Sequence, residues 1–260
     1  MNGATGAPWP AGATLVAGHL YPDYLNIYAD RGNIAVLTRR AEWRGIRLEV
    51  RPIGLGDPLP VGALDLLYIG GGQDREQALV APDLAAKAGA LRATLEAGAV
   101  ALAVCGGYQL LGRGYVDAAG AELPGAGILP LRTVAGDRRM IGDVLLEVAL
   151  EGGPARTVAG FENHAGRTLL DPGAQPLGRV VAGFGNDGAS GAEGCVAAVG
   201  RGIALGTYLH GPLLPRNPWL ADWLLARALA RHAPDGQVPA LAPLPDALEL
   251  AAHEVAAAPG

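Results

Sequence analysis

The chain has 260 residues, 50% of them apolar and 17% charged, with 20 basic against 25 acidic side chains for a net charge of −5. That composition carries a sizeable core, excludes wholesale disorder and speaks against a basic nucleic-acid footprint. Two cysteines, Cys105 and Cys195, cannot make a disulfide framework, and no run of about 18 apolar residues marks a membrane span.

Residues 1–12 are rich in Gly, Ala and Pro and read as a flexible extension with no basic n-region, so no secretory signal is expected and a soluble cytoplasmic protein is. Residues 14–19 read as a first strand. Ile34, Leu37 and Ala41 recur at helical spacing before Gly45, and 48–53 read as a second strand. Residues 64–69 form a buried-type strand running into Gly70-Gly71-Gly72, where Asp74 and Gln77 resemble a capping box with Asp74 as N-cap. A further helix is expected over 84–97, a strand over 99–104, and a helix opening at 108–111. Strands alternating with helices indicate an α/β protein with a parallel sheet.

The second half reads differently. A hairpin is expected over 115–123, and 143–150 with 156–161 alternate like paired strands around Glu151-Gly152-Gly153-Pro154. Residues 179–184 and 203–208 read as strands and 219–232 as a helix. No composition break divides the body, so 13–232 read as one domain. Residues 233–260 read as an Ala/Pro-rich tail with a helix near 247–257.

The chemistry concentrates in AVALAVCGGYQLLG. A buried strand runs into Cys105, two glycines follow and a helix begins, which is the strand–nucleophile–helix turn of a nucleophile elbow. Such a turn lifts the sulfur clear of the backbone, and glycines beside it relieve crowding. A helix amino terminus suits a thiolate, and the Gly106 N–H points to where an oxyanion forms. The plainer reading of Cys105 is a small buried residue ending a strand. A thiol needs a base. His232 and His253 read as solvated and His19 as structural, while His210 and His164 both follow strands and are equal by position. The single lysine, Lys87, lies between two alanines, so the chain has no Gly-Lys-Ser/Thr phosphate loop.

Cys105-Gly106-Gly107-Tyr108-Gln109 matches the Cys-x-Gly-x-Gln elbow of class I, triad-type glutamine amidotransferases. Gly160-Phe161-Glu162-Asn163-His164-x-Gly166-Arg167 resembles the corresponding segment of their cobyric acid synthase branch. LYPDYLNIYADRGNI, IGGGQDREQ, CGGYQLLG, GFENHAGRT and GTYLHGPLLPRNP, in that order and spacing, resemble the glutaminase subunits of lipid II isoglutaminyl synthases over about residues 20–218. The resemblance implies the class I amidotransferase fold: a mostly parallel central sheet flanked by helices, with added antiparallel strands in the second half. It implies that L-glutamine is the substrate, Cys105 the nucleophile and His210 the base. Gly106 and Gly72 would line the oxyanion site. Gln109, Arg139, Asn163 and His164 would hold the substrate, with the Arg139 fork on its carboxylate. Cys195 reads as an inert core thiol.

The family pattern departs at one place. Most class I members carry Glu two residues after the catalytic histidine, where this chain has Pro212. Asp30, in YADRGN, is the candidate substitute; its other reading is a helix N-cap. The resemblance further implies a Mur-ligase-like (MurT-like) synthetase partner that binds lipid II and carries ATP and Mg, with no metal or cofactor on this chain. Two rivals stand beside it: the amidotransferase module of cobyrinic or cobyric acid synthesis, and a catalytically inactive binding protein. The short stretch before the first strand speaks against the fused ATP-dependent domain of the former, and the intact Cys105, His210 and glycine loop against the latter.

Overall fold

The computed structural model describes residues 12–27, 31–233 and 236–257. In chain order the first half runs β1 (Thr14–Leu20), α1 (Arg31–Glu42), β2 (Arg47–Ile53), β3 (Leu66–Ile69), α2 (Asp74–Ala86), α3 (Ala88–Glu96), β4 (Val100–Val104) and α4 (Gly106–Leu111). The second half runs β5 (Gly114–Val116), β6 (Glu122–Pro124), β7 (Leu131–Val148), β8 (Arg156–Leu170), β9 (Gly178–Ala182), β10 (Ala192–Glu193), β11 (Cys195–Val199), β12 (Gly202–Thr207), α5 (Leu213–Arg216), α6 (Pro218–Ala230) and α7 (Ala247–Ala257).

Among the described residues the strands form two six-stranded sheets. The central one has the order β11-β12-β4-β3-β1-β2 and is parallel except for β11, which pairs antiparallel with β12. Every residue of β3, β4 and β12 is buried, because helices cover both faces of a parallel sheet and leave no face for alternation. Their apolar runs are therefore continuous, which is how the sequence reveals them. The second sheet is built on an antiparallel ribbon of β7 and β8, with β9, β10, β5 and β6 alongside. Its register shifts between Ala135 and Met140, and this irregularity carries Arg139. A shift of register bends a ribbon and re-aims its side chains.

The mixed α/β architecture is the expected one. Several boundaries differ. Asp74 is the first helical residue rather than the N-cap; Gln73 occupies the cap without a side-chain bond, and the Gln77 amide donates to the Gly72 carbonyl at 3.2 Å. Leu84 belongs to α2, and the helix expected over 84–97 begins only after a break at Lys87. Strands β10 and β11 had no signal, since Ala-rich segments have little strand propensity. His232 and His253 are not merely solvated: His232 Nε2 lies 2.8 Å from Asp65 Oδ1, and His253 bonds Thr157 Oγ1 at 2.7 Å and the Arg216 carbonyl at 2.9 Å.

The Ala/Pro-rich tail packs on the body. Asp246 meets the Arg40 guanidinium, which Asp222 grips from the other side. Arg40 is only 2% exposed, so both carboxylates serve to compensate a buried charge.

Candidate active site

The site sits at the carboxyl ends of β3, β4 and β12, the rim where parallel sheets place ligands. Val104 pairs with Thr207 across β4 and β12. Cys105 is thus one residue, and His210 three residues, beyond paired positions on neighbouring strands.

Cys105 has φ +49° and ψ −107°, a conformation that L-residues rarely adopt. Hydrogen bonds on both sides hold it there. Its N–H donates to the Thr207 carbonyl at 2.8 Å, and its carbonyl accepts from the Gln109 N–H at 3.0 Å. Such strain persists only where the surroundings over-determine it. The glycines make the turn possible. A Cβ on Gly107 would fall 2.6–2.8 Å from Ile69 and the Gly70 carbonyl, and one on Gly106 would sit 3.0 Å from the Gly72 nitrogen. The Gly107 N–H is engaged by the Gly70 carbonyl at 3.1 Å. Gly106 and Gly72 therefore meet backbone to backbone next to Cys105.

Cys105 lines a cleft of about 750 Å³ together with Gly72, Gln109, Arg139, Asn163 and His164. These six expected residues, from separate motifs, thus share one cavity, while Gly106 and His210 are not among the residues that line it. The Arg139 guanidinium donates to Asn163 Oδ1 at 2.8 Å. Gln109 Nε2 donates to the Tyr208 hydroxyl at 3.1 Å.

The two candidate histidines differ in their surroundings. His164 is committed within its own strand: Nδ1 donates to the Gly166 carbonyl at 2.8 Å and Nε2 faces Glu162 Oε2 at 3.3 Å. Its ring lies flat on Tyr208, centroids 3.5 Å apart and planes 4° from parallel. His210 is fully buried just beyond β12, at the rim that carries Cys105. Asp30 lies outside the described residues. The residues after it are nonetheless placed next to those after His210. A Cβ on Gly32 would lie 2.6 Å from Pro212 Cγ, and Asn33 Oδ1 accepts from the Leu214 N–H at 2.8 Å. Cys195 is fully buried away from the cleft, and burial pushes its thiol up to about 12.

Several residues at or next to the cleft were not among the expected site residues. Glu162 is buried and accepts from the Phe184 and Gly185 N–H groups at 2.6 and 3.0 Å, so it ties that loop to His164. Tyr115 lines the cleft, its hydroxyl pushed up to about 12, first by burial and then by the Asp74 carboxylate. Asp74 and Gln77 line it too. Among the described residues no group of three His, Cys, Asp or Glu side chains could hold a metal ion.

Residues 16–218 match the CobB/CobQ-like glutamine amidotransferase domain. The chain is 41% identical over 213 residues to the subunit GatD of lipid II isoglutaminyl synthase (glutamine-hydrolyzing) from Staphylococcus aureus, covering 82% of this chain and 84% of that one. It belongs to the GatD branch of the CobB/CobQ-like glutamine amidotransferases. The GatD subunit of Streptococcus pneumoniae is 39% identical over 228 residues, covering 85% of this chain and 84% of its own. Cobyric acid synthase of Pelotomaculum thermopropionicum is 36% identical over 178 residues, 64% of this chain but 32% of that enzyme. In this amidotransferase the match ends at Pro218, the first residue of α6, so the rest of α6 and α7 lie outside the matched residues.

Proposed function

We propose that this chain is the glutaminase subunit of a lipid II isoglutaminyl synthase. It would hydrolyse L-glutamine to glutamate and ammonia in the cytoplasm. The observation that carries the reading is the strained Cys105 elbow, with the Gly106 and Gly72 backbones beside it, opening into the cleft that holds Gln109 and Arg139. The names and coverage of the GatD relatives support the same reading.

The Arg139 fork binds the substrate α-carboxylate and Asn163 steadies the guanidinium. Cys105 Sγ attacks the side-chain amide carbon while His210 takes the thiol proton. The Gly106 and Gly72 N–H groups receive the developing oxyanion. Collapse breaks the C–N bond, and His210 returns the proton to the leaving ammonia. Water then attacks the glutamyl thioester with His210 as base, releasing glutamate and the thiol. His164 serves as a wall of the pocket rather than a base.

The ammonia passes to a Mur-ligase-like, MurT-like partner that binds lipid II and uses ATP and Mg to activate the α-carboxylate of D-glutamate, giving D-isoglutamine. This chain has no Gly-Lys-Ser/Thr loop of its own for that step. At neutral pH free ammonia is mostly protonated and non-nucleophilic, which favours direct transfer between subunits.

The test is amidation of a lipid II analogue by the complex of this chain with its ligase partner. Cys105→Ala is expected to abolish glutamine-dependent amidation and to leave ammonium-dependent amidation intact. Glutamine-dependent turnover by a clean Cys105→Ala complex would refute the assignment.

A further inference from the structure

Gln109 is 4% exposed at the wall of the cleft, and its carboxamide is held on one side. Its Nε2 donates to the Tyr208 hydroxyl at 3.1 Å. That hydroxyl is 2.6 Å from Thr168 Oγ1, which is 2.8 Å from Thr133 Oγ1. A tyrosine hydroxyl has one proton. It accepts from the Gln109 amide and shares a second hydrogen bond with Thr168, in which either hydroxyl can donate. Burial raises the Tyr208 phenol well above its ordinary value, so it stays a neutral hydroxyl. The ring itself is fixed, stacked on His164 and met edge-on by Tyr108 at 5.2 Å.

Gly166 completes the clamp. A Cβ there would lie 2.3 Å from Gln109 Nε2, 2.8 Å from Thr133 Cγ2 and 3.0 Å from the Tyr208 hydroxyl. Only a residue without a side chain leaves room for the amide group where it sits.

The orientation has a chemical consequence. A carboxamide offers a donor on one end and an acceptor on the other. The α-ammonium group of an amino acid only donates. With the Gln109 amino group turned inward, the oxygen is the end left for the cleft; flipped, the side chain would set N–H against N–H.

We propose that Tyr208 is a positioning residue for substrate binding: with the gap at Gly166, its hydroxyl holds the Gln109 carboxamide so that Oε1 accepts from the α-ammonium group of L-glutamine. This rests on the glutaminase reading above and adds which residues fix the orientation of the Gln109 carboxamide.

The experiment compares L-glutamine with glutaramate, which has the same side-chain amide and carboxylate but no α-ammonium group. Both are hydrolysed by the complex with the ligase partner, in wild type and in Tyr208→Phe. Tyr208→Phe keeps the ring stack and removes the hydroxyl alone. It is expected to raise KM for L-glutamine about tenfold with kcat within about threefold, as befits one lost polar contact to a charged group. The kcat/KM for glutaramate is expected to be unchanged. Gly166→Ala should show the same substrate-selective loss, and the double variant should be no worse than Gly166→Ala. Thr168→Val, which interrupts the same chain one hydroxyl further in, gives the same comparison should either variant fold poorly. An unchanged KM for L-glutamine in Tyr208→Phe, or equal losses on both substrates, overturns the proposal. A wild-type complex that turns over neither substrate overturns the glutaminase reading itself, a different outcome.

Discussion

The backbones of His210 and Phe161 exchange two hydrogen bonds, His210 N–H to Phe161 O at 2.7 Å and Phe161 N–H to His210 O at 3.3 Å. This bridge joins the residues just past β12 to β8, and with them the central sheet to the antiparallel ribbon. The position of His210 is therefore set by the strand that also carries Asn163 and His164. Cys105 and His210 thus follow strands of one sheet, while Asn163 and His164 belong to the other.

His210→Ala is expected to lower kcat by at least about 10³-fold, and a Cys105→Ala/His210→Ala double variant to be little worse than either single one, because nucleophile and base act as a unit. His164→Ala removes a stacked wall and its bond to Gly166, so turnover should persist with a raised KM and a lower melting temperature. Steady-state hydrolysis of both variants decides; an inactive His164→Ala beside an active His210→Ala would reverse the assignment.

The two thiols differ in access. At pH 8, iodoacetamide is expected to alkylate Cys105 in the native protein and to leave Cys195 unmodified, since Cys195 is fully buried with its thiol raised to about 12. Intact-mass measurement should show one adduct for the wild type and none for Cys105→Ala. An adduct at native Cys195 would contradict its placement.

Strain at the elbow has a stability signature. A non-glycine residue at φ +49° stores about 1–3 kcal/mol, and glycine relieves much of it. Cys105→Gly should melt above Cys105→Ala, the reverse of the usual order between those two residues. A higher melting temperature for the alanine variant would mean that position 105 stores no strain.

Asp30→Asn separates a third catalytic member from a helix cap. Asn caps about as well as Asp, so melting should be unchanged in either case. The Gly32–Pro212 contact brings the start of α1 beside the segment after His210, so turnover is expected to fall by up to about 10⁴-fold, the scale of a lost orienting carboxylate. Full turnover would leave a Cys105–His210 dyad.

Asp246→Ala removes one of two carboxylates from buried Arg40. A loss of about 1–3 kcal/mol is expected, since a hydrogen-bonded charge is left partly unmatched. Residues 247–257 should become more sensitive to limited proteolysis, with glutamine hydrolysis retained. Unaltered melting and proteolysis would show that Arg40 does not anchor the tail.

Much was legible in the residues themselves. Continuous apolar runs revealed β1, β3, β4 and β12, because strands buried on both faces need no alternation. CGGYQ located the elbow, since only glycines fit where Gly106 and Gly107 approach Gly72 and Ile69. The capping reading at Asp74 failed because the Gln77 side chain turned to the Gly72 carbonyl instead. Strand β11 went unread because Cys195–Val199 owes its conformation to pairing with β12, not to its own propensity.

By itself the sequence determined the chemistry: a thiol on a glycine-lined turn, histidines at two strand ends, and no phosphate loop. These are properties of single residues and their near neighbours, which local sterics dictate. The family resemblance already favoured His210 over His164 as base; only the tertiary structure decided what surrounds each of them, because that depends on which distant residues they meet. Glu162 and Gly166 engage His164, from its own strand, and Tyr208 stacks on it from β12's end; His210 follows β12, the strand paired with the one that leads into Cys105. Likewise Gln109, Tyr208, Thr168 and Thr133 are far apart in the chain, and their hydrogen-bonded order exists only because two sheets meet there. Long-range contacts of this kind are set by packing, and no local pattern encodes them.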